Sequence, residues 1–251
     1  MRNLDVLFTP ADFAALKSRS LDDTLCVIFD VFRATSSMVT ALANGAEAII
    51  PVGDIPEALD IKGRMPQVLL AGERDGVRIR AALANGTDFD LGNSPREFTK
   101  EKIAGRTIVM TTTNGTRALR SCAHAKMVLV GSFLNLRATA EFVSRAAVEN
   151  ALLICSGTYE QAAYEDALGA GALCDLLWTS LDPGGVSDSA KMARQVYSDS
   201  KNDLLAAASQ SRNGLRLSAM PELREDVAFC LHRDVFNFVA ALGSDRKVTQ
   251  V

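Results

Sequence analysis

The stretch LCVIFDVFRATSS, from Leu25 to Ser37, decides the predicted fold. Its first half, Leu25–Phe29, is an apolar run, which is typical of a strand buried on both faces of a parallel sheet. Asp30, Arg33 and three hydroxyl residues follow at once, and a helical pattern then runs to a predicted C-cap at Asn44-Gly45. Open α/β sheets present binding groups in this way, at the carboxyl ends of their strands. The stretch is also consistent with a plain turn whose hydroxyl caps the helix.

Apolar strand patterns alternate with helical patterns along most of the chain. This alternation predicts an α/β protein, a three-layer α/β/α sandwich with a mainly parallel sheet. The length suits a single domain over residues 1–251. Two similar halves, about 1–130 and 131–251, stay open, because each contains a strand–turn–helix unit with an acid near its turn. We expect an exposed loop at 181–189, which is rich in Gly and Pro, and a mostly helical segment over 190–242.

The composition narrows the classes of partner and chemistry. Hydrophobic residues make up 48% and charged residues 23%, and the net charge of −3 comes without a long basic run, so nucleic acid and anionic membranes are not expected partners. Without a membrane-span or signal-peptide pattern, we expect a cytoplasmic protein. The five cysteines are widely spaced and the histidines number two, which argues against a disulfide framework and a zinc site.

Four polar clusters directly follow apolar strand patterns, and a fifth lies in a turn. Because the carboxyl ends of parallel strands meet at one edge of a sheet, we expect these clusters to face a single cleft. A helix cap or a solvated surface explains any one cluster, but five clusters of similar composition are harder to explain in that way. The clusters are Asp30–Ser37, Glu73–Gly76, Thr111–Thr116, Ser156 with Glu165 and Asp166, and Asn93–Arg96.

The run Thr111–Thr116 indicates an anion site. Its hydroxyls, the Asn114 amide and the free N–H groups of the following helix could hold a phosphate without the lysine of a Walker loop. The alternative is a hairpin turn at Asn114-Gly115, but a helix-like segment follows it where a hairpin needs a strand.

Carboxylates and arginines supply the charges that such a site needs. Asp30, Glu73 and Asp166, with Glu165 as a substitute, are candidate ligands for a hard divalent cation, although each acid could instead pair with an arginine. Guanidinium groups recognise phosphate and sulfonate through paired hydrogen bonds. The candidate arginines are Arg33, Arg74, Arg96 and Arg117.

Six motifs, taken together and in order, resemble the 2-phosphosulfolactate phosphatase (ComB) family. The resemblance implies an α/β/α sandwich and a Mg²⁺-dependent hydrolase that converts 2-phospho-3-sulfolactate to 3-sulfolactate and phosphate, a reaction known from coenzyme M synthesis. One departure is segment 77–88, which is longer than the usual connection and leaves a different phosphorylated acid open as substrate. The motifs are DVFRATSSMVTALANGA (30–46), GERDG (72–76), FDLGNSP (89–95), TTTNGT (111–116), CSG (155–157) with YEDALGAGAL (164–173), and DVAFCLHRD (226–234).

The resemblance also suggests roles for individual residues toward a small anionic phosphorylated substrate. The expected catalytic residues are Asp30, Arg33, Asn114 and Thr116. The expected metal ligands are Asp30, Glu73 and Asp166, although Asp30 as a covalent nucleophile stays open. The expected substrate-binding residues are Thr35, Ser36, Arg74, Asn93, Ser94, Thr112, Thr113, Gly115, Ser156 and Gly157. A non-catalytic module that binds a phosphorylated or sulfonated metabolite is the alternative from another class, and a homodimer is left open.

Overall fold

The computed structural model describes residues 1–251, except for the side chain of Lys17. Strands and helices alternate along the chain as predicted, and short 3₁₀ turns connect several of them. The strands are Asn3–Leu7 (β1), Thr24–Phe29 (β2), Ala48–Pro51 (β3), Leu69–Arg74 (β4), Val77–Arg78 (β5), Thr107–Thr111 (β6), Met127–Gly131 (β7), Asn150–Cys155 (β8), Ala240–Leu242 (β9) and Val248–Gln250 (β10). The helices are Pro10–Ala14 (α1), Ala34–Ala43 (α2), Ile55–Arg64 (α3), Lys100–Ile103 (α4), Gly115–Ser121 (α5), Leu136–Arg145 (α6), Tyr164–Leu177 (α7), Asp188–Ser200 (α8), Leu204–Ser209 (α9), Arg212–Ser218 (α10) and Arg224–Cys230 (α11).

Strand β2 is buried on both faces, which confirms the central prediction. Because side chains alternate along a strand, Val27 and Phe29 pack into one hydrophobic cluster with helices α6, α7 and α8. Cys26 and Ile28 pack into a second cluster on the opposite face, with helices α2 and α5. The strand pairs in parallel with β7 on one side and β8 on the other. The predicted three-layer α/β/α architecture is therefore confirmed.

The sheet consists of two parallel blocks that an antiparallel hairpin joins. Its strand order is β1-β8-β2-β7-β9-β10-β3-β6-β4-β5, with β9 antiparallel to β7 and β10 antiparallel to β3. The prediction of mostly helical structure over 190–242 is wrong at its end, where β9 lies. These short strands carry little local signal, because their partners β3 and β7 are far away in the sequence.

The two blocks do not follow the halves 1–130 and 131–251 that the sequence left open. The first block contains strands from residues 3–29 and 127–155, and the second contains strands from residues 48–111. Segment 181–189 is exposed around Asp182, as expected, but Val186 is buried where it bridges to Leu4 of the edge strand β1. The segment thus covers part of an otherwise open sheet edge.

Two further observations concern the cysteines and the helices. All five cysteines are buried free thiols, in keeping with their apolar sequence surroundings. Among the residues that the structure describes, no helix is both long and apolar enough to cross a membrane.

The position of β10 can be tested with a pair of valine variants. Val248→Ala is expected to lower the free energy of unfolding by about 2 kcal/mol, because the Val248 side chain is fully buried between the two blocks. Val251→Ala is the matched control; its side chain is 64% exposed, and a change below about 0.5 kcal/mol is expected. Urea denaturation measures both values. Equal stability of the two variants would contradict the placement of β10 inside the sheet.

Candidate active site

A cleft lies at the carboxyl ends of β2, β4, β6 and β8, where the polar clusters were expected to meet. Parallel pairing brings together the ends of β2 and β8 in one block and the ends of β4 and β6 in the other, and the two sets of ends meet where Gly115 packs against Asp30. The predicted site residues that line the cleft are Asp30, Arg33, Glu73, Asn93, Thr113, Asn114, Gly157 and Asp166.

Asp30 lies where β2 ends and the turn into α2 begins. Its Oδ1 accepts a hydrogen bond from the Ala34 N–H at 3.1 Å. Burial raises the pKa of Asp30 to about 7; the Ala34 N–H opposes this shift, and the nearby carboxylates Glu73 and Glu165 add to it. A positive charge bound in the cleft would therefore stabilise the ionised form of this side chain.

Gly115 allows helix α5 to begin directly against Asp30. A Cβ at this position would come within 2.6 Å of the Asp30 Oδ2 and of the Ala34 Cβ. No larger residue fits there without displacing the carboxylate. The Asn-Gly pair thus begins a helix, as the sequence indicated, and Gly115 serves the site through the space it leaves.

Two acids from the first turn of α7 stand behind Asp30. The Asp166 carboxylate accepts hydrogen bonds from the backbone N–H of Val31 at 2.8 Å and of Gly157 at 3.1 Å. It therefore connects the turns that follow β2 and β8. Burial and the charges of Glu165 and Asp30 raise the pKa of Asp166 well above its usual value. Burial also raises the pKa of Glu165, although a hydrogen bond from the Asn213 side chain acts to lower it.

Glu73 connects the β4–β5 turn to the threonine run. The structure extends β4 to Arg74, so Glu73 is a strand residue and not part of the turn that the sequence suggested. Its Oε2 accepts the Gly76 N–H at 2.7 Å, and its Oε1 accepts both the N–H and the hydroxyl of Thr113 at 2.9 Å. This carboxylate therefore fixes two walls of the cleft.

Arg33 reaches the cleft from a buried ion pair that the sequence did not reveal. Its Nη1 donates to the Asp226 Oδ2 at 2.9 Å, and its Nη2 donates to the Gly76 carbonyl at 2.6 Å. Asp226, in α11, is fully buried and also accepts the Ser94 hydroxyl at 2.7 Å and the Arg96 Nε at 2.8 Å. Ser94 is the N-cap residue of the short 3₁₀ turn Pro95–Glu97, but its hydroxyl bonds Asp226 and makes no capping hydrogen bond.

The other predicted site residues do not line the cleft, and several of them form hydrogen bonds to the backbone of the turns that do. The Thr35 hydroxyl bonds the Asp30 carbonyl, and the Thr112 and Thr116 hydroxyls bond each other's peptide groups. Ser156 Oγ is buried without a hydrogen-bond partner among the described residues. The residues behind the lining are Thr35, Ser36, Arg74, Ser94, Thr112, Gly115, Thr116 and Ser156.

Ser36 and Arg74 are similarly engaged with neighbouring groups. The Ser36 hydroxyl donates to the Val31 carbonyl at 3.0 Å. The Arg74 guanidinium donates to the Glu73 carbonyl at 2.7 Å and to the Thr111 hydroxyl at 3.1 Å. Their hydrogen bonds shape the turns that present Asp30 and Glu73.

Comparison with known proteins identifies the family. A family model described as 2-phosphosulpholactate phosphatase matches residues 12–245. The chain belongs to this family. Similar proteins, each named probable 2-phosphosulfolactate phosphatase, include one from Caldicellulosiruptor saccharolyticus, 38% identical over 87% of this chain and 89% of the relative. Another, from Pseudothermotoga lettingae, is 34% identical over 98% of this chain and 99% of the relative.

In this member of the 2-phosphosulpholactate phosphatase family, the cleft also contains residues that sequence reasoning missed. Thr158 and Tyr159 come from the turn after β8, and Asn213 and Arg216 come from helix α10. The motif CSG points to the first pair, since they follow it directly. No local pattern places α10 over the cleft, because its position depends on tertiary packing.

The carboxylate oxygens of the cleft are of the kind that binds a hard divalent cation. Asp30, Glu73 and Asp166 all line the cleft, and two of them have a raised pKa that a bound cation would offset. Among the described residues, no three His, Cys, Asp or Glu side chains form a ready-made metal-binding group. This arrangement fits Mg²⁺, which usually takes one or two protein carboxylates and completes its shell with water and substrate oxygens.

The ion pair beneath the cleft can be tested by neutralising two adjacent acids. Asp226→Asn is expected to lower the free energy of unfolding by about 3 kcal/mol, because it leaves the buried Arg33 guanidinium without a counter-charge. Glu225→Gln is the control; this side chain is 72% exposed and pairs with Arg96, so a cost below about 1 kcal/mol is expected. Chemical denaturation gives both values, and equal costs would argue against a buried Arg33–Asp226 pair.

Proposed function

We propose that this protein hydrolyses 2-phospho-3-sulfolactate to 3-sulfolactate and inorganic phosphate with Mg²⁺ as cofactor. The observation that carries the proposal is the family match over residues 12–245, together with relatives named for this activity. The cleft supports it on chemical grounds, because it combines several carboxylates with arginine and amide donors at the carboxyl ends of strands from both parallel blocks.

Asp30, Glu73 and Asp166 are the acids from which we propose that the cation takes its one or two protein ligands. When bound, Mg²⁺ would polarise the phosphoryl oxygens and orient a water molecule for attack. The protein holds its part of the site rigid beforehand: Asp166 is fixed by two peptide N–H groups, and Glu73 by Gly76 and Thr113. These hydrogen bonds leave the positions of both carboxylates set before the substrate enters.

Arg33 and Asn114 are the groups we assign to the transferring phosphoryl. The Arg33 guanidinium is fixed by Asp226 and the Gly76 carbonyl, so its positive charge acts on the cleft from a constant position. The Asn114 amide is likewise held by the Gly157 carbonyl at 2.8 Å, while the residue lines the cleft. Donors fixed in advance stabilise developing charge without reorganisation during the reaction.

The long segment 77–88 bears on the choice of substrate. Within it, Ile79 and Ala84 are fully buried and belong to the hydrophobic cluster that includes Val109. The residues of this hairpin that line the cleft are Glu73, Asp75 and Gly76, which precede the segment. Apart from Ile79 and Ala84 the segment is largely at the surface, and none of its residues lines the cleft.

The metal requirement is tested with a phosphate-release assay. Purified protein stripped with EDTA is expected to lose its activity on 2-phospho-3-sulfolactate, and added Mg²⁺ is expected to restore it. A panel of other phosphorylated organic acids, run with and without Mg²⁺, identifies the preferred substrate. Full turnover in excess chelator would contradict the proposed metal requirement. The absence of phosphate release from every acid in the panel would contradict the proposed phosphatase activity.

The role of Asp30 is tested by Asp30→Asn. We expect kcat to fall by about 10³-fold or more with the fold intact, because the variant removes a charge at the reacting group. Asp60→Asn is the control, since this carboxylate is 66% exposed and pairs with Arg64 on helix α3. Near-normal turnover by the Asp30 variant would remove Asp30 from the mechanism. Rapid acid quench of the wild type then separates covalent attack by Asp30, which leaves a phosphoenzyme, from attack by water.

A further inference from the structure

Helix α10 presents one face to the cleft. Asn213, Arg216 and Leu217 line it, and their spacing of three and four residues places them on the same side of a helix. Asn213 is fixed by hydrogen bonds to the Thr158 hydroxyl at 2.7 Å and to Glu165 at 2.6 Å. The helix is therefore anchored at one point of this face, and Arg216 extends from the next turn.

Arg216 contacts the cleft walls through weakly held partners. Its guanidinium donates to the Asp75 carbonyl and, at 3.3 Å, to the Tyr159 hydroxyl. The Asp75 carboxylate lies 3.8 Å away on a side chain that is 80% exposed, and exposed ion pairs of this kind contribute little. The positive charge of Arg216 is thus left largely uncompensated.

Arg33 provides the contrast. Both arginines line the cleft, but Arg33 is buried and held in place by Asp226 at 2.9 Å, whereas the side chain of Arg216 is 34% exposed. Of these two guanidinium groups, Arg216 can exchange its present partners for a ligand. Its partly exposed position also puts it nearer the mouth of the cleft than the buried carboxylate of Asp166.

We propose that Arg216 binds the sulfonate group of the substrate and so determines which phosphorylated acid the enzyme prefers. The proposal rests on the function proposed above. A sulfonate stays ionised and offers oxygens that a guanidinium fork can bind in pairs. On binding, the sulfonate oxygens replace the Asp75 carbonyl and supplement the Tyr159 hydroxyl as partners of Arg216. The carboxylates at the floor of the cleft repel this second anion, which directs it toward the mouth.

The experiment compares two substrates that differ only in the sulfonate. Phosphate release is measured from 2-phospho-3-sulfolactate and from 2-phospholactate, which has a hydrogen in place of the sulfonate, with Arg216→Gln and Arg216→Lys. Arg224→Gln is the control, because this exposed arginine of the neighbouring helix α11 does not line the cleft. Binding of the product 3-sulfolactate by calorimetry gives a second measurement that does not depend on turnover.

We expect Arg216→Gln to lower kcat/KM for the sulfonated substrate about 10- to 100-fold, the effect of losing a charged hydrogen-bond partner, and to change that for 2-phospholactate less than about twofold. The Kd of 3-sulfolactate should weaken by a similar factor, Arg216→Lys should lie between, and Arg224→Gln should match the wild type. Equal losses on both substrates, or unchanged 3-sulfolactate binding, would overturn the role of Arg216. A wild-type protein inactive on the sulfonated substrate would instead overturn the proposed function, and this assignment with it.

Discussion

The cleft depends on the buried ion pair between Arg33 and Asp226. Taking two charges out of water costs several kcal/mol for each ion, so a buried pair persists only where further hydrogen bonds complete it. Here Arg33 also donates a hydrogen bond to the Gly76 carbonyl, and Asp226 accepts further hydrogen bonds from Ser94 and Arg96. The pair therefore joins the turn after β2, the tip of the β4–β5 hairpin and helix α11 at one point. Each of these parts contributes a wall or a support to the cleft.

The charges in the cleft are arranged unevenly, and this unevenness explains how an acidic site can accept an anion. Asp30, Glu73 and Asp166 concentrate negative charge where the strands end, and burial together with mutual repulsion raises the pKa of Asp30 and Asp166. A cation held there would reverse the sign of that region. Arg216 lies at the tip of the β4–β5 hairpin, where it bonds the Asp75 carbonyl, with its charge still available. The cleft therefore separates a region suited to a cation from one suited to an anion.

Much of the fold and half of the site could be predicted because their determinants are local. The apolar run of β2 and the helical pattern of α2 fix where Asp30 lies, and parallel pairing brings Glu73 and Asn114 to the same edge. Asp226 and Arg216 could not be placed, because the helices that carry them reach the cleft only through tertiary contacts. The Thr116 hydroxyl was expected to act in catalysis and the Thr112 hydroxyl to bind substrate, yet both bond the backbone of their own turn. Threonine at a turn has the same sequence pattern in both roles.

The antiparallel hairpin in the middle of the sheet has a consequence for how the protein assembles. Strands β3 and β7 are synthesised long before β9 and β10, which pair with them. Until residues 240–250 emerge, each parallel block has an unpaired edge, and such edges recruit other chains. The sheet therefore becomes continuous only late in synthesis. Contacts between residues so distant in sequence also slow folding, so formation of the β9–β10 hairpin is the step that completes the sheet.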